Sequence, residues 1–315
     1  MCENNQTQVV EFLLLGFHDL YEFKALLFIM FLIIYFMIIN GNVLIIFLVS
    51  VKEQLNIPMF FFIKHIAVND ILLTTTVVPK MLEIIIKDKV KVSKMNCMIQ
   101  FYIFGVSGLV QCFLLAVMSY DRYLAICNPL RYSAIMCTRL CLQLVTGSWL
   151  VVSIFISSEL TLMCELQFCD HNSINHFYCD FIPLLELSSS DTSLLQTLDF
   201  ASSFFTLFSP FIYIIITYVF ISITILNIST STGRMKAFST CSSHLTIVCT
   251  FYGTLIAVYM VPSDGNINKF RSLLYIVITP LMNPLIYSLR NVEIRGALKN
   301  IIKKNRRKIN LHIHF

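Results

Sequence analysis

The sequence alternates between long apolar runs and short polar joints along its length. Seven of these runs exceed about 18 residues, the length at which an apolar stretch becomes a candidate membrane-spanning helix. They cover roughly residues 24–50, 58–86, 97–120, 140–163, 196–227, 237–261 and 271–290. The joints between them are too short to hold a separate soluble domain. The pattern therefore predicts an all-α integral membrane protein, built as one bundle of seven transmembrane helices.

Composition and charge agree with this prediction. Hydrophobic residues make up 57% of the chain and charged residues only 13%, and the mean hydropathy is +0.76. This balance is far from that of a soluble domain. The net charge of +5 comes mainly from the last residues of the chain. Such a basic end favours contact with anionic membrane lipid, and we expect no nucleic acid partner.

The distribution of Lys and Arg in the joints predicts the orientation in the membrane. With the N-terminus outside the cell, the cytoplasmic side holds most of these residues, although the first outer joint is rich in lysine. We expect an extracellular N-terminus over 1–23, a seven-helix domain over 24–290 and a cytoplasmic tail over 291–315. The tail is predicted to begin with a short amphipathic helix, and the protein to be a multi-pass plasma membrane protein.

One sequence motif for covalent modification lies in the segment expected outside the cell. Asn5 begins the triplet Asn-Gln-Thr, which matches the sequon for N-linked glycosylation. We therefore expect Asn5 to carry a glycan. A second match at Asn227 falls on the side expected to be cytoplasmic, so we expect it to stay unmodified.

Two opposite charges stand side by side directly after the third apolar run. Asp121 and Arg122 follow a charge-free stretch, and ion pairs near a membrane boundary are costly unless they serve a function. An isolated Asp-Arg pair is most simply a salt bridge at a helix end. Here it is part of MSYDRYLAICNPLRY at 118–132, which resembles the third-helix signature of rhodopsin-like G-protein-coupled receptors. The form of the motif resembles that of vertebrate olfactory receptors.

Four further motifs strengthen the resemblance to olfactory receptors. They are EFLLLGF at 11–17, LNIPMFFF at 55–62, KAFSTCSSHL at 236–245 and PLMNPLIYSLRN at 280–291. Together they extend the resemblance over roughly residues 5–300, and they imply a rhodopsin-like seven-helix bundle. The sequence contains no nucleophile–base pair, phosphate-binding glycine loop or metal-ligand cluster. A receptor is therefore expected rather than an enzyme.

The resemblance implies how such a receptor is switched on. The agonist rearranges Tyr252, the Asp121–Arg122 pair opens, and the sixth helix moves to admit a heterotrimeric G protein. That G protein is of the olfactory stimulatory type, which raises cyclic AMP. The residues implied in coupling and activation are Asp121, Arg122, Tyr123, Tyr218, Tyr252, Asn283, Pro284 and Tyr287.

The same resemblance places a ligand among helices three, five, six and seven. The implied pocket residues are Phe104, Gly105, Gly108, Leu109, Cys112, Ser202, Ser203, Thr206, Tyr252, Leu255, Ile256 and Tyr259. This set is mostly apolar with a few hydroxyl groups, which predicts a small, mostly uncharged odorant. Receptors for biogenic amines carry Asp where this chain has Phe104, so a cationic amine is disfavoured at that position.

Asp70 lies near the middle of the second run, where a carboxylate must be neutralised, paired or bound to an ion. By resemblance it is the acid that binds sodium in many receptors of this class. Many olfactory receptors add a Glu from helix three, but this chain has Gln111 there, so one negative charge is lost. Asp70 and Gln111 are therefore the candidate ligands of a sodium ion, and we expect no other cofactor.

The cysteines expected outside the cell can form disulfides. The resemblance pairs Cys97, at the outer end of helix three, with Cys179 in the long joint before helix five. A second bridge common in the family would join Cys169 to the position that Ser189 occupies here. Cys169 is left with Cys164, with Cys2 or with no partner.

Two alternatives stay open beside the odorant receptor. The nearer one is a rhodopsin-like receptor for a small ligand that is not an odorant. The other is a seven-helix transporter or channel, which would show inverted repeats or several charged residues facing a pore. The expected partners of an odorant receptor are a small-molecule odorant, a heterotrimeric G protein, membrane lipid and a trafficking chaperone.

Overall fold

The computed structural model describes residues 9–16, 22–169, 172–259, 265–291 and 293–299. Within these ranges seven long helices form one bundle, and each is long and apolar enough to cross a membrane. They are α1 (Lys24–Val51), α2 (Pro58–Lys87), α3 (Lys94–Cys127), α4 (Thr138–Glu165), α5 (Ser193–Leu226), α6 (Ser231–Tyr259) and α7 (Gly265–Arg290). Their positions agree with the seven apolar runs of the sequence.

Helix α3 lies at the centre of the bundle and packs against α2, α4 and α5. It is the most buried of the seven spans, whereas α1 is the least buried. The outer faces of the helices carry large exposed apolar side chains, among them Leu26, Ile33 and Phe47 on α1. Such a continuous apolar exterior fits a lipid environment, because soluble proteins rarely expose apolar patches of this extent.

A proline in α7 explains how α1 packs against it. Residue 284 is a proline and has no N–H group, so the carbonyl of Pro280 lacks its normal helical donor. The Nδ2 atom of Asn42 supplies that donor, at 3.1 Å from the Pro280 oxygen. Gly41 allows the approach, since a Cβ atom there would lie 3.1 Å from the Cβ of Pro284.

A small sheet covers one end of the bundle, which we call the sheet end. Its strands are β1 (Glu11–Leu15), β2 (Lys89–Ser93) and β3 (Ser173–Ile174), in the order β2-β1-β3. Strand β1 is antiparallel to β2 and parallel to β3. Phe12 and Leu14 of β1 are fully buried. The sequence analysis did not predict this sheet.

The sheet also explains why many lysines occur near this end. Lys91 of β2 lies 3.6 Å from the carboxylate of Glu11 on β1, and Lys24 forms an ion pair with Asp88. Acidic residues therefore neutralise part of the positive charge of the first outer joint. That joint is the one whose lysines reduced the difference in Lys and Arg content between the two sides of the membrane.

The connection between α4 and α5 is fixed over α3 by a covalent bond and by hydrogen bonds. Cys97 and Cys179 form a disulfide with a Cα–Cα distance of 5.5 Å, the pair that the family resemblance implies. Next to it, the backbone N–H of Cys179 donates to Oε1 of Gln100 at 2.9 Å. Gln100 in turn donates to the carbonyl of Thr76 on α2 at 3.0 Å.

Cys169 is disulfide-bonded, and Cys164 is a free thiol. Of the three alternatives from the sequence, a bridge to Cys164 and an unpaired Cys169 are therefore both wrong. Cys2, the remaining candidate, lies outside the described residues, as does the predicted glycosylation site Asn5. The hydroxyl of Ser189 accepts a hydrogen bond from the N–H of Cys169 at 3.2 Å.

A short helix follows α7 at the opposite end of the bundle. Residues 293–299 are helical, and the Oδ1 atom of Asn291 accepts hydrogen bonds from the N–H groups of Glu293 and Ile294 at 2.9 and 3.1 Å. Ile294 and Ala297 are buried while Glu293 is exposed. The predicted amphipathic eighth helix is therefore present over these residues.

Candidate functional site

A cavity of about 280 Å³ lies inside the bundle near the sheet end. Helices α3, α4, α5, α6 and α7 and the connection before α5 form its wall. The residues that line it are Phe101, Phe104, Gly105, Gly108, Leu109, Ile156, Glu159, Asp180, Phe181, Ile182, Asp199, Ser202, Ser203, Leu207, Leu255 and Tyr275. Most of this wall is apolar, as expected of a pocket for a small molecule.

Seven of the predicted pocket residues lie on this wall: Phe104, Gly105, Gly108, Leu109, Ser202, Ser203 and Leu255. Four other predicted residues do not line it, namely Cys112, Thr206, Tyr252 and Ile256. Ile256 is 44% exposed and faces outward. The side chain of Tyr259 lies outside the described part of the structure.

Thr206, one of the three predicted residues of α5, lies off the wall because that helix is not a regular α-helix throughout. Residues Phe204–Phe208 form a π-helical turn, which inserts extra backbone into the helical repeat. As a result Leu207 lines the cavity, whereas Thr206 is fully buried and donates to the carbonyl of Ser202 at 2.8 Å. Counting positions along an ideal helix could not reveal this shift.

Three carboxyl groups on the wall were missed by the sequence analysis. Glu159 of α4 is almost fully buried and accepts a hydrogen bond from the hydroxyl of Ser202. Asp199 of α5 and Asp180 of the connecting segment complete the set. Glu159 is the only charged residue in the fourth apolar run of the sequence. An acidic residue inside a membrane span is a signal of function that could have identified it.

Asp180 is held by two donors. The hydroxyl of Tyr178 donates to its Oδ2 atom at 3.0 Å, and the N–H of Phe181 donates to its Oδ1 atom at 2.9 Å. Burial raises the pKa of Asp180, and the two hydrogen bonds oppose this rise.

Tyr275 of α7 is another wall residue that the sequence did not mark. Its side chain is buried and its hydroxyl has no hydrogen-bond partner among the described residues. The hydroxyl lies against Gly108 of α3, where a Cβ atom would be only 3.0 Å away. Gly108 therefore provides the space that this hydroxyl occupies at the cavity.

A layer of aromatic side chains connects the cavity to Tyr252. The ring of Phe251 lies 6.1 Å from the ring of Tyr275 and 5.2 Å from that of Tyr252. Tyr252 packs against Phe211 of α5 with the ring centroids 4.4 Å apart, and its hydroxyl lies beside the thiol of Cys112. Tyr252 is thus separated from the cavity wall by a single aromatic ring rather than being part of the wall.

The predicted Asp121–Arg122 pair lies at the other end of α3, which we call the Arg122 end. The Nε atom of Arg122 donates to Oδ2 of Asp121 at 2.9 Å, and Tyr132 donates to Oδ1 at 2.8 Å. Asp121 is fully buried, and both of its carboxylate oxygens accept hydrogen bonds from protein side chains. Tyr123 is partly exposed beside this network and packs against Phe220 of α5 at 6.3 Å.

Tyr218 and Tyr287 lie near this network but have other partners. The hydroxyl of Tyr218 and Nδ1 of His244 are 2.7 Å apart, which joins α5 to α6. Tyr287 donates to the sulfur of Met118 at 3.7 Å. Sequence reasoning did not single out His244 as the partner of Tyr218, although it belongs to the KAFSTCSSHL motif.

A buried polar cluster joins α2, α3 and α7 between the two ends. Asn283 donates to Oδ2 of Asp70 at 2.8 Å, and Asn69 donates to Oε1 of Gln111 at 2.9 Å. Three buried oxygens have no partner among the described residues: Oδ1 of Asp70, Oδ1 of Asn69 and Oγ of Ser107. This set of oxygen donors fits a sodium ion, but the carbonyl of Gln111 is already occupied by Asn69.

The bundle, with a cavity at one end and a buried Asp–Arg pair at the other, has the architecture of a rhodopsin-like receptor. Squid rhodopsin superposes on it with a TM-score of 0.69 over 90% of this chain and 86% of the rhodopsin chain. The two sequences are only 16% identical, so this similarity concerns the fold.

Sequence comparison shows the family. The olfactory receptor family profile matches residues 31–305. Rat olfactory receptor 1f45 is 42% identical over 305 residues, covering 96% of this chain and 97% of that receptor. Human olfactory receptor 10A7 is 43% identical, covering 96% of each chain. The chain belongs to the olfactory receptor family of G-protein-coupled receptors. It is a multi-pass plasma membrane receptor and not an enzyme.

Proposed function

We propose that this receptor binds small odorants in the cavity and activates a heterotrimeric G protein of the olfactory stimulatory type, which raises cyclic AMP. The observation that carries the proposal is the largely apolar cavity inside the bundle, separated from Tyr252 by one aromatic ring. Family membership supports it. The apolar wall suits small odorants that are apolar over most of their surface, and the carboxyl groups add a preference for ligands that donate hydrogen bonds.

In this proposal, the ligand acts through the aromatic layer beneath it. A ligand that contacts Tyr275 displaces the ring of Phe251, and with it Tyr252 on the same helix. A ligand shifts a two-state equilibrium only by its difference in affinity for the two states. The odorant must therefore bind more tightly to the receptor state with the rearranged aromatic layer than to the present state.

At the Arg122 end, the active state requires α6 to leave its present position. The Tyr218–His244 contact joins α6 to α5, and the Asp121 carboxylate holds Arg122. Breaking both contacts frees Tyr218 and Arg122 for a G-protein segment. Asn283 and Pro284 let α7 adjust, because Pro284 leaves a gap in the helical hydrogen bonds and Asn283 bonds Asp70 through its side chain.

We propose that the sheet end faces the extracellular side and the Arg122 end faces the cytoplasm. The Cys97–Cys179 disulfide lies at the sheet end, and disulfides persist in oxidising compartments. This orientation places the N-terminus outside. It also places the basic C-terminal residues beside the anionic lipid of the cytoplasmic leaflet.

The proposal is tested by measuring cyclic AMP in cells that express the receptor with a trafficking chaperone, the further partner that we propose for surface export. A panel of odorants is applied to wild type, Arg122→Ala and Tyr252→Phe at matched surface levels. We expect a few agonists, with loss of response in Arg122→Ala and reduced response in Tyr252→Phe. Arg139→Ala, which removes an exposed charge from the start of α4, is the control and should respond normally.

An agonist response that survives in Arg122→Ala would contradict the role given to the Asp121–Arg122 pair. Responses confined to non-volatile metabolites would favour the alternative of a receptor for a non-odorant ligand. Ligand-dependent ion or solute flux without cyclic AMP would favour the transporter or channel.

We also propose that a sodium ion occupies the polar cluster around Asp70. An ion held by α2 and α3 next to Asn283 of α7 stabilises the present arrangement of these helices. Replacing sodium by potassium in the assay should therefore lower the agonist concentration for half-maximal response, and Asp70→Asn should remove that difference. Equal responses of the wild type in the two salts would contradict sodium binding.

A further inference from the structure

The charges on the cavity wall are all of one sign. Glu159, Asp180 and Asp199 line it, and none of the described residues on the wall is Lys, Arg or His. Lys269, a buried cation elsewhere at the sheet end, donates to the carbonyl of Gly16 at 3.0 Å and does not line the cavity. An occupant of the cavity therefore meets three acidic groups without a basic one.

These carboxyl groups are close enough to interact with one another. Asp199 interacts electrostatically with both Glu159 and Asp180. Glu159 and Asp180 are only 3% and 7% exposed, so water does little to screen them. Like charges in such surroundings destabilise each other, and a cation between them relieves the repulsion.

Hydrogen bonding leaves part of this acidic surface open to a ligand. Ser202 donates to Glu159, and Tyr178 and Phe181 donate to Asp180. Asp199, in contrast, accepts no side-chain hydrogen bond from the described part of the chain. The buried hydroxyl of Tyr275 is likewise unpartnered there. Asp199 and Tyr275 together offer acceptors to an N–H donor in the cavity.

The arrangement of the acids favours an organic cation over a metal ion. No three His, Cys, Asp or Glu side chains in the described ranges converge closely enough to hold a metal. The carboxyl groups are instead distributed around an apolar wall that includes Phe101, Phe104 and Phe181. Aromatic faces attract organic cations and also pack against apolar groups.

We propose that the cavity selects small organic amines that are protonated at neutral pH. The ammonium group binds Asp199 and Glu159, and the apolar part packs against the aromatic side chains of α3 and Phe181. The ligand class rests on the function proposed above. Phe104 of α3 disfavours an amine at one wall position, but the acids of this site come from α4, α5 and the connection before α5.

The volume of about 280 Å³ limits the size of such an amine. It lies just below the usual range of ligand pockets, which starts at about 300 Å³. A nitrogen on a single phenyl, cyclohexyl or short branched alkyl group is therefore the appropriate probe, and larger polyamines are not.

The test compares amines with alcohols of the same shape. Cyclohexylamine is paired with cyclohexanol, 2-phenylethylamine with 2-phenylethanol, and 3-methylbutylamine with 3-methylbutanol. In the cyclic AMP assay, the most potent of the three amines should be at least about tenfold more potent than the alcohol of the same shape. A hydrogen bond to a charged group contributes enough free energy for about a tenfold difference in affinity. Asp199→Asn should remove most of that preference while changing alcohol responses less than about threefold.

Three further variants keep the result interpretable. Glu159→Gln retains an acceptor for Ser202 and should weaken the amine preference, whereas Asp199→Glu should largely preserve it. Glu165→Gln, an exposed acid on the same helix α4 as Glu159, should leave the preference unchanged. Equal losses of amine and alcohol potency in Asp199→Asn would overturn the proposal, because they would indicate a structural role.

Ligand binding is measured separately from G-protein activation, on the purified receptor. The amine should raise its melting temperature more than the matched alcohol does, and Asp199→Asn should abolish the difference. A thermal preference for amines without cyclic AMP would support the amine site and contradict the proposed coupling. Odorant-driven cyclic AMP with no amine preference in either assay would keep the proposed function and overturn the amine site.

Discussion

At the scale of single residues, the Arg122 end depends on a carboxylate whose two oxygens both accept hydrogen bonds from side chains. Asp121 receives Arg122 on one oxygen and Tyr132 on the other. Tyr132 comes from the short helix Pro129–Ile135, which follows α3 directly in the chain. The position of the acid is therefore coupled to the segment between α3 and α4 as well as to the arginine beside it.

Removing the Tyr132 hydroxyl should favour the active state. Tyr132→Phe leaves one Asp121 oxygen without its donor, which weakens the hold on Arg122. We expect basal cyclic AMP to rise about tenfold, since hydrogen bonds to charged groups contribute about 1.5–3 kcal/mol and about 1.4 kcal/mol is a factor of ten in an equilibrium constant. The measurement is ligand-free cyclic AMP at matched surface level. Tyr102→Phe, on α3 away from this network, is the control, and an unchanged basal signal would show that the bond is kept in both states.

Individual residues also show what the sequence could and could not predict about the site. Phe104, Gly105, Gly108 and Leu109, which the family resemblance implies, all lie on the wall because α3 is regular and residues at this spacing share one face. Tyr275 could not be inferred in this way. Its role depends on the space left by Gly108, a contact between residues far apart in sequence.

At the scale of elements, the helices were predictable and their irregularities were not. The seven apolar runs agree with α1–α7 because membrane spans carry a strong compositional signal. The π-helical turn at Phe204–Phe208 carries no such signal, and it changes which side chains of α5 face the cavity. Strand β1 was missed because short strands depend on partners such as β3, which is distant in the chain.

The close packing of α1 on α7 leads to a prediction at this scale. Gly41→Val adds three carbon atoms where a Cβ alone would lie 3.1 Å from Pro284. Overpacking of this kind costs about 1–3 kcal/mol, so we expect a lower melting temperature and less receptor at the surface. Gly147→Val is the matched control, because nothing lies within 4 Å of a Cβ at Gly147. Equal effects of the two substitutions would contradict the proposed role of Gly41.

At the scale of the whole molecule, the sheet end combines the strands, the disulfides and a buried histidine in one structure. His176 lies between β3 and the disulfide, and its ring is stacked on that of Phe177 at 4.7 Å. Burial, with a smaller contribution from the charge of Lys269, lowers the pKa of His176 to about 3. The folded receptor therefore keeps this imidazole neutral over the physiological pH range.

This shift predicts that acid destabilises the receptor. Below pH 6.5 the unfolded chain takes up a proton on His176 and the folded chain does not, so stability falls as the pH falls towards about 3. The loss from this group is at most about 1.4 kcal/mol per pH unit. We expect the melting temperature of purified receptor to fall between pH 7.5 and 5.0, and to fall less in His176→Phe. Equal acid sensitivity in the variant would assign the effect to other groups.

The order of strands in the sheet has a consequence for biosynthesis. Strand β1 is made before any helix of the bundle, yet it lies between β2 and β3, and Leu13 pairs with Ser173, about 160 residues later. Until β3 has been synthesised, at least one edge of the apolar strand β1 stays unpaired, and unpaired strand edges promote aggregation. The sheet end can therefore close only after α4 has been inserted. A newly made receptor must be protected over that interval, which is the task that a chaperone would perform.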